Sequence, residues 1–177
     1  MIKSDILFIN PGGQKNIYQG LSLGYTAIST PAWALLLADY VRQKGYTVSI
    51  YDTNVEGWDV KVVDKYDPEL IVIMVYGHHP SASTQTMPAV KEITLDIKRH
   101  NADIPVALGG SHPSALPEMT MRQINTDYVI QGEGVYSIEG LITYLKRGKS
   151  IKDVEGLWYR DNKLLKFTKP AVNVKNL

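Results

Sequence analysis

The chain has 177 residues, enough for one domain with a sizeable core. Its 19 basic and 18 acidic residues leave a net charge of +1, which gives no electrostatic case for nucleic acid or an anionic membrane as partner. Cysteine is absent, which excludes disulfides, a thiolate nucleophile, a cysteine zinc site and an iron–sulfur cluster held within these residues.

The chain opens M-I-K-S-D-I-L-F-I-N, running straight into a strand pattern without a cleavage signal, and no apolar run approaches the roughly 20 residues of a membrane helix. A cytoplasmic protein is expected. The first strand spans Asp5 to Asn10 and closes on Pro11-Gly12-Gly13. After a long loop, Thr30-Pro31 reads as an N-cap followed by proline at the first helical position, and the helix runs to Gly45. A second strand covers Thr47 to Tyr51, with Asp52 at its end, and a weakly patterned helix covers Val60 to Lys65. Leu70 to Val75 is continuously apolar, as a central parallel strand buried on both faces should be.

A helix is expected over Ser83 to His100, with Pro88 tolerable only in its first turns. The fourth strand covers Pro105 to Leu108 and opens onto Gly109-Gly110, and a short helix spans Leu116 to Ile124. The fifth strand is Asp127 to Ile130, followed by Gln131-Gly132-Glu133-Gly134 and a helix over Ile138 to Lys146. Beyond Gly148 the pattern changes to two strand-like runs around Asp161-Asn162, a hairpin signal, and then a tail that reads as a linker or stub. The alternation implies an α/β, Rossmann-like, doubly wound sheet of five parallel strands, flavodoxin-like in topology, with a small C-terminal β-hairpin. Residues 1–150 would form this domain and residues 151–177 the hairpin and linker.

Open parallel sheets bind ligands outside the carboxyl ends of their strands, near the point where strand order reverses. The residues placed there are mostly glycines and hydroxyl side chains. Pro11, Gly12, Gly13 and Gln14 follow the first strand, and Asp52-Thr53-Asn54 the second. Tyr76, Gly77, His78, Ser81, Ser83 and Thr84 follow the third, and Gly109, Gly110, Ser111, His112 and Pro113 the fourth. Gly132, Glu133 and Gly134 follow the fifth. Each has a plainer reading: glycine pairs make tight turns, Ser83 and Thr84 could cap the helix, Glu133 could bond nearby amides, and a loop histidine is usually a surface or packing residue. His100 falls on a helix end. Five such loops at one edge are harder to explain that way. The chain has no G-x-x-x-x-G-K-[ST], no G-x-G-x-x-G opening directly from the first strand into a helix, and no His-Glu-x-x-His.

P-G-G after the first strand, T-P-A-W-A-L-L-L-A-D-Y-V-R-Q-K-G-Y-T-V-S-I-Y-D, G-G-S-H-P-S-A-L-P, D-Y-V-I-Q-G-E-G and G-L-W-Y-R come in order over nearly the whole chain. This set resembles the amino-terminal cobalamin-binding domain of cobalamin-dependent radical SAM enzymes. The resemblance implies a corrin carried over the carboxyl edge of the sheet and a dimethylbenzimidazole tail buried beside it, with Gly109 and Gly110 leaving room for the tail. It implies a parent enzyme of methyltransferase type, acting on unactivated carbon or phosphorus, whose radical SAM domain would lie C-terminal to this chain with a [4Fe-4S] cluster and S-adenosylmethionine. The three-cysteine motif of that domain is missing, so a fragment is expected.

The Asp-x-His-x-x-Gly of other cobalamin carriers is also missing: that position reads Asn10-Pro11-Gly12-Gly13-Gln14-Lys15. The lower cobalt face is therefore expected to lack a protein nitrogen, with Tyr76 or His78 packed below the corrin and His78 as cobalt ligand the lesser alternative. Catalytic residues are expected to lie outside the chain. A flavodoxin-like domain binding FMN or a nucleotide sugar, or a non-catalytic interaction domain, stays open at this point.

Overall fold

Strand β3 (Leu70–Val75) is buried along its whole length, and the rest of the molecule is layered around it. A computed structural model describes residues 3–13, 27–77, 80–162 and 164–175. The elements in chain order are β1 (Ile6–Asn10), α1 (Ala32–Gln43), β2 (Val48–Asp52), α2 (Thr53–Glu56), α3 (Val62–Tyr66), β3, α4 (Pro80–His100) and β4 (Val106–Gly110). They continue with α5 (Ser111–Ala115), α6 (Pro117–Gln123), β5 (Tyr128–Ile130), α7 (Val135–Arg147), a 3₁₀ turn at Ile151–Asp153, β6 (Leu157–Asp161) and β7 (Leu164–Phe167).

The strands form one sheet in the order β2-β1-β3-β4-β5-β6-β7, and β1 to β5 are parallel. The order 2-1-3-4-5 is the flavodoxin-like arrangement, with its switch point between β1 and β3. The period-2 alternation of β3 divides the core. Leu70, Val72 and Met74 face α1 and α7, packing with Ile6, Phe8, Leu37, Val41, Ile138 and Leu141. Ile71, Ile73 and Val75 face α3, α4 and α6, packing with Leu7, Ile9, Val63, Val90, Ile97 and Met121. A sheet apolar on both faces needs helices on both, which accounts for the doubly wound layering.

The hairpin joins this sheet. β6 pairs antiparallel with β5 through Tyr128↔Tyr159, Val129↔Trp158 and Ile130↔Leu157, so the sheet has seven strands. Asn162 takes a left-handed φ of 49° in the connection to β7, a conformation asparagine tolerates better than most residues.

Several boundaries differ from those the sequence suggests. Thr30 supplies no side-chain cap to α1; its carbonyl accepts from Ala32 N–H at 2.8 Å, and Pro31 occupies the N-cap position. Helix α4 begins at Pro80, which places Pro88 in its third turn. The short helix expected over Leu116 to Ile124 is α6, and a separate helix, α5, precedes it, the two meeting at Leu116 because Pro117 starts a new helix. The glycine pair ends β4 instead of following it.

Candidate functional site

The carboxyl ends of β1 and β3 lie side by side at the switch point. There Thr53 Oγ1 accepts from Gly12 N–H and donates to the Asn10 carbonyl at 3.0 Å, fastening the turn after β1 to the start of α2. A Cβ on Gly12 would stand 3.0 Å from that hydroxyl, so the turn is close-fitted at this residue. Asp52 caps α2 through Asn54 N–H at 2.9 Å. The sequence placed Thr53 at this edge without giving it a role; a hydroxyl directly after a strand-ending aspartate was the available signal.

The end of β3 meets α4 through Ser83, which is fully buried and lies inside the helix, not at its cap. Its hydroxyl donates to the Val75 carbonyl at 2.6 Å and accepts from His112 N–H at 3.0 Å. Thr84 Oγ1 lies 2.9 Å from His112 Nδ1. Burial pushes the His112 imidazole below its ordinary value, toward the neutral ring. One turn of α4 thus holds the loops after β3 and β4 together, which a reading of Ser83 and Thr84 as helix caps would not deliver. Gly77 belongs to the same junction: a Cβ there would sit 2.5 Å from Ala82 Cβ and 2.9 Å from Ser83 N.

The two β4 glycines have different reasons to be glycine. Gly110 has φ 136°, and a Cβ on it would meet the Val75 carbonyl oxygen at 2.1 Å. Close approach of two backbones, β4 to β3, requires glycine here whatever the ligand, a reason that stands beside the expected room for a ligand. A Cβ on Gly109 would make ordinary contacts with Met74 Sδ and Ile130 Cδ1 at 3.7 and 3.8 Å, on the α1/α7 face. Ser111 and His112 open α5 half-exposed, and Pro113 is buried.

The turn after β5 is joined to two other segments. Ser114 Oγ accepts from Gly132 N–H at 2.9 Å, and Glu133 Oε2 accepts from Val174 N–H at 2.8 Å. Glu155 accepts from Val172 N–H, and Val174 packs against the α1/α7 core. The tail, expected as a linker or stub, is bonded to Glu133 and Glu155. Gly134 begins α7 with φ 86°, against Ile130 and Leu37. Glu133 does bond a nearby amide, the plainer of its two readings, although that amide is distant in sequence.

A residue absent from the sequence-based candidates stands at the crevice. Trp33, in the first turn of α1, stacks on Tyr76, the first residue after β3, with ring centroids 5.0 Å apart and planes inclined by 15°. Trp33 remains 45% exposed, while Tyr76 packs against the α1/α7 core. Burial, then the nearby Glu133 charge, raises the Tyr76 phenol above its ordinary value. Helical spacing makes Trp33 look like a core residue; only its stacking partner just after β3 reveals the placement.

Of the remaining candidates, Gly13 is half-buried beside Pro11 and Gly12, and Ser81 is exposed in the first turn of α4. Gln14 and His78 lie outside the described residues, as does His79. His100 is far from this edge, its Nε2 2.8 Å from Asp64 Oδ1. Pro11–Gly13, Asp52–Asn54, Tyr76–Gly77, Gly110–Ser114 and Gln131–Gly134 contain no lysine or arginine. Among the described residues no three His, Cys, Asp or Glu are grouped to hold a metal ion, and no helix is long and apolar enough to cross a membrane. A cavity of about 480 Å³ lined by Met121, Arg122, Gln123, Ile124, Asn125 and Arg160 opens at the amino edge, away from these loops.

Comparison with known proteins agrees with this geometry. A profile described as the B12 binding domain matches residues 23–142. An uncharacterized methyltransferase of Pyrococcus horikoshii is 28% identical over 152 residues, covering 83% of this chain and 31% of the relative. The anaerobic magnesium-protoporphyrin IX monomethyl ester cyclase of Synechocystis is 22% identical over 149 residues, 83% of this chain and 30% of the relative. Among solved structures, the radical S-adenosylmethionine methyltransferase TsrM from Kitasatospora setae, with cobalamin and a [4Fe-4S] cluster bound, superposes with a TM-score of 0.73 at 20% identity, over 99% of this chain and 30% of that one. The cobalamin-dependent S-adenosylmethionine radical enzyme OxsB, with aqua-cobalamin and S-adenosylmethionine bound, gives 0.70 at 18% identity, over 97% of this chain and 23% of that one. The chain spans about a third of the length of the curated relatives it matches.

Proposed function

Because this chain belongs to the B12-binding domain family, we propose that it carries cobalamin over the carboxyl ends of β1 and β3, as the cofactor module of a radical S-adenosylmethionine methyltransferase. The observation that carries the reading is the coincidence of the profile match with a switch-point crevice edged by glycine turns, neutral hydrogen-bonding groups and an aromatic stack. Such an edge fits a flat macrocycle fringed with neutral amides. The B12-binding profile match favours this reading over a domain for FMN or a nucleotide sugar. Cobalt arrives already held by the corrin nitrogens, so the protein need not build a metal cage.

When bound, the cofactor supplies a cobalt centre able to take up and release a methyl group. The chain's own residues bind and orient. Thr53 holds the Gly12 turn, Ser83 joins the third and fourth loops, and Ser114 holds the Gly132 turn, giving the ligand edge a fixed outline. Pro11, Gly12, Gly13, Gln14, Tyr76, Gly77, His78, Ser81, Ser83, Thr84, Gly109, Gly110, Ser111, His112, Pro113, Gly132, Glu133 and Gly134 remain the proposed cofactor-binding set. Within it, Gly77, Ser83 and Gly110 act through the shape of the edge. Tyr76 or His78 would pack beneath the corrin, His78 as a cobalt ligand being the lesser alternative. A further domain holding the iron–sulfur cluster and S-adenosylmethionine completes the proposed enzyme.

The test is retention of the cofactor. Purified chain mixed with hydroxocobalamin should emerge from gel filtration with a corrin visible spectrum at about one equivalent per chain. A retained flavin spectrum, or no chromophore, overturns the reading.

A further inference from the structure

The segment after β7 has a built seat against the turn that follows β5. Ala171 lies between two glycines: a Cβ on Gly132 would stand 3.4 Å from the Ala171 Cβ, and one on Gly156 only 2.8 Å. Gly156 also has φ 63°, and its N–H donates to the Lys169 carbonyl at 2.7 Å. Bare backbone on both sides lets the segment lie close to the turn. Two carboxylates then hold it, Glu155 accepting from Val172 N–H at 3.2 Å and Glu133 from Val174 N–H at 2.8 Å. Lys169 pairs with Glu155 at 3.2 Å, and Val174 packs against the α1/α7 core, as Tyr76 does.

This seat occupies residues proposed to meet the ligand. β5 is two strands from β3, about 10 Å at ordinary strand spacing, so a ligand as broad as a corrin seated over β1 and β3 reaches the turn after β5. There it meets Gly132 with Ala171 against it and Glu133 already engaged with Val174. Glu133 acts on Tyr76 as well: its charge, after burial, raises that phenol, so the residue holding Val174 lies near the end of β3. The B12-binding profile ends at residue 142, well before this segment.

Resting on the cobalamin-binding reading, we infer that residues 171–174 form the wall of the ligand crevice on its β5 side and contact the cofactor, with Glu133 and Glu155 positioning that wall instead of touching the ligand. The bonds at Val172 and Val174 fix the backbone on either side of Asn173, an exposed neutral amide suited to the amide fringe of a corrin. A wall ordered before the ligand arrives adds contact without the entropy cost of ordering it on binding.

The test uses the whole chain with hydroxocobalamin and has two readouts. Amide exchange followed by NMR should slow severalfold at Val172 and Val174 when the ligand is added. In visible-spectrum titration, Glu133→Ala should weaken binding about fivefold through the lost bond to Val174, and Val174→Pro, which deletes the N–H donor, should do the same. Glu133→Gln keeps an acceptor oxygen and should recover most of the loss. Because the two residues act through one bond, Glu133→Ala should add nothing in the Val174→Pro background. Circular dichroism should show each variant folded, since the Glu133–Val174 bond is exposed. Unchanged or faster exchange at Val172 and Val174 overturns the wall, faster exchange marking a cover that the ligand displaces. Unaltered binding in both single variants, or full additivity in the double variant, overturns the positioning role of Glu133 and leaves cobalamin binding standing. Failure of wild type to bind hydroxocobalamin overturns the cobalamin reading, and this inference falls with it.

Discussion

The two edges of the sheet are built from different chemistry. At the amino edge the connections are tied by charge. Lys146 pairs with Asp5 and Glu69, Lys98 pairs with Asp127 at 2.6 Å, and Arg160 donates to the Met121, Ile124 and Thr126 carbonyls at the end of α6. At the carboxyl edge no ion pair appears among these ties, most of which are hydroxyl bonds: Thr53 to Gly12, Ser83 to Val75 and His112, Thr84 to His112, Ser114 to Gly132, with the Asp52 and Glu133 carboxylates accepting from Asn54 and Val174 N–H. Charged fasteners hold loops shut but would compete with a neutral ligand and attract ions. Hydroxyl fasteners hold the loops without lysine or arginine, which sets the edge tied by ion pairs apart from the edge proposed to bind the cofactor.

The comparison breaks most severely at Gly110. Its φ of 136° and the 2.1 Å approach of a Cβ to the Val75 carbonyl mean that Gly110→Ala forces the third and fourth strand ends apart. A loss of about 3 kcal/mol or more is expected in urea unfolding, from backbone strain and a lost close approach. Gly109→Ala, one residue away and in ordinary contact, should be close to wild type. Equal stability of the two variants would show that the β3–β4 closure is not what fixes glycine at 110.

How legible this was in the sequence varies from residue to residue. Leu70–Val75 was readable to the residue because a strand buried on both faces has a continuous apolar run. The carboxyl-edge loops were readable because glycine and hydroxyl residues recur where each strand ends. The junctions between loops were not. Ser83 looks like a helix cap until α4 is seen to begin at Pro80, and nothing local announces its bond to Val75. Trp33 carries the helical spacing of a core residue, and its stack depends on a residue just after β3, far along the chain. The hairpin turn was written in Asp161-Asn162, yet its pairing to β5 is non-local and left no trace in the period.

A milder test separates stability from binding. Lys98, only 8% exposed, pairs with Asp127 and donates to the Ile104 carbonyl at 2.7 Å. Lys98→Met should cost about 1–2 kcal/mol, discounted because Asp127 is partly exposed and keeps its bond from Val106 N–H. Ser83→Ala should cost a similar amount, about 1–2 kcal/mol, by leaving the Val75 carbonyl without its donor. The two should part on cofactor retention: Lys98→Met keeps it at wild-type level, whereas Ser83→Ala weakens it severalfold because the loops after β3 and β4 lose their common anchor. Weakening by Lys98→Met as large as by Ser83→Ala would erase the distinction between the edges.

The smallest effect should come from pH, and it separates the edges by where each titrates. Burial lowers His112 from its ordinary 6.5, so the unfolded chain takes up that proton more readily than the folded one. For Asp5, burial pulls the carboxyl upward, but Lys146 and the N–H and hydroxyl of Thr47 outweigh it and leave the group below 3.8. Both folded values are depressed, so both contributions are complete above the unfolded values and are lost as pH falls through the folded ones. Stability should therefore decline on acidification in two windows, a shallow one below pH 6.5 from the carboxyl edge and a deeper one below pH 3.8 from the amino edge. The first is shallow because the His112 ring is partly solvated. Urea midpoints recorded from pH 8 to pH 3 check this: His112→Asn should flatten the upper window alone and Asp5→Asn the lower alone. An upper window that survives His112→Asn would move its origin to another group and overturn the assignment of that window to the carboxyl edge.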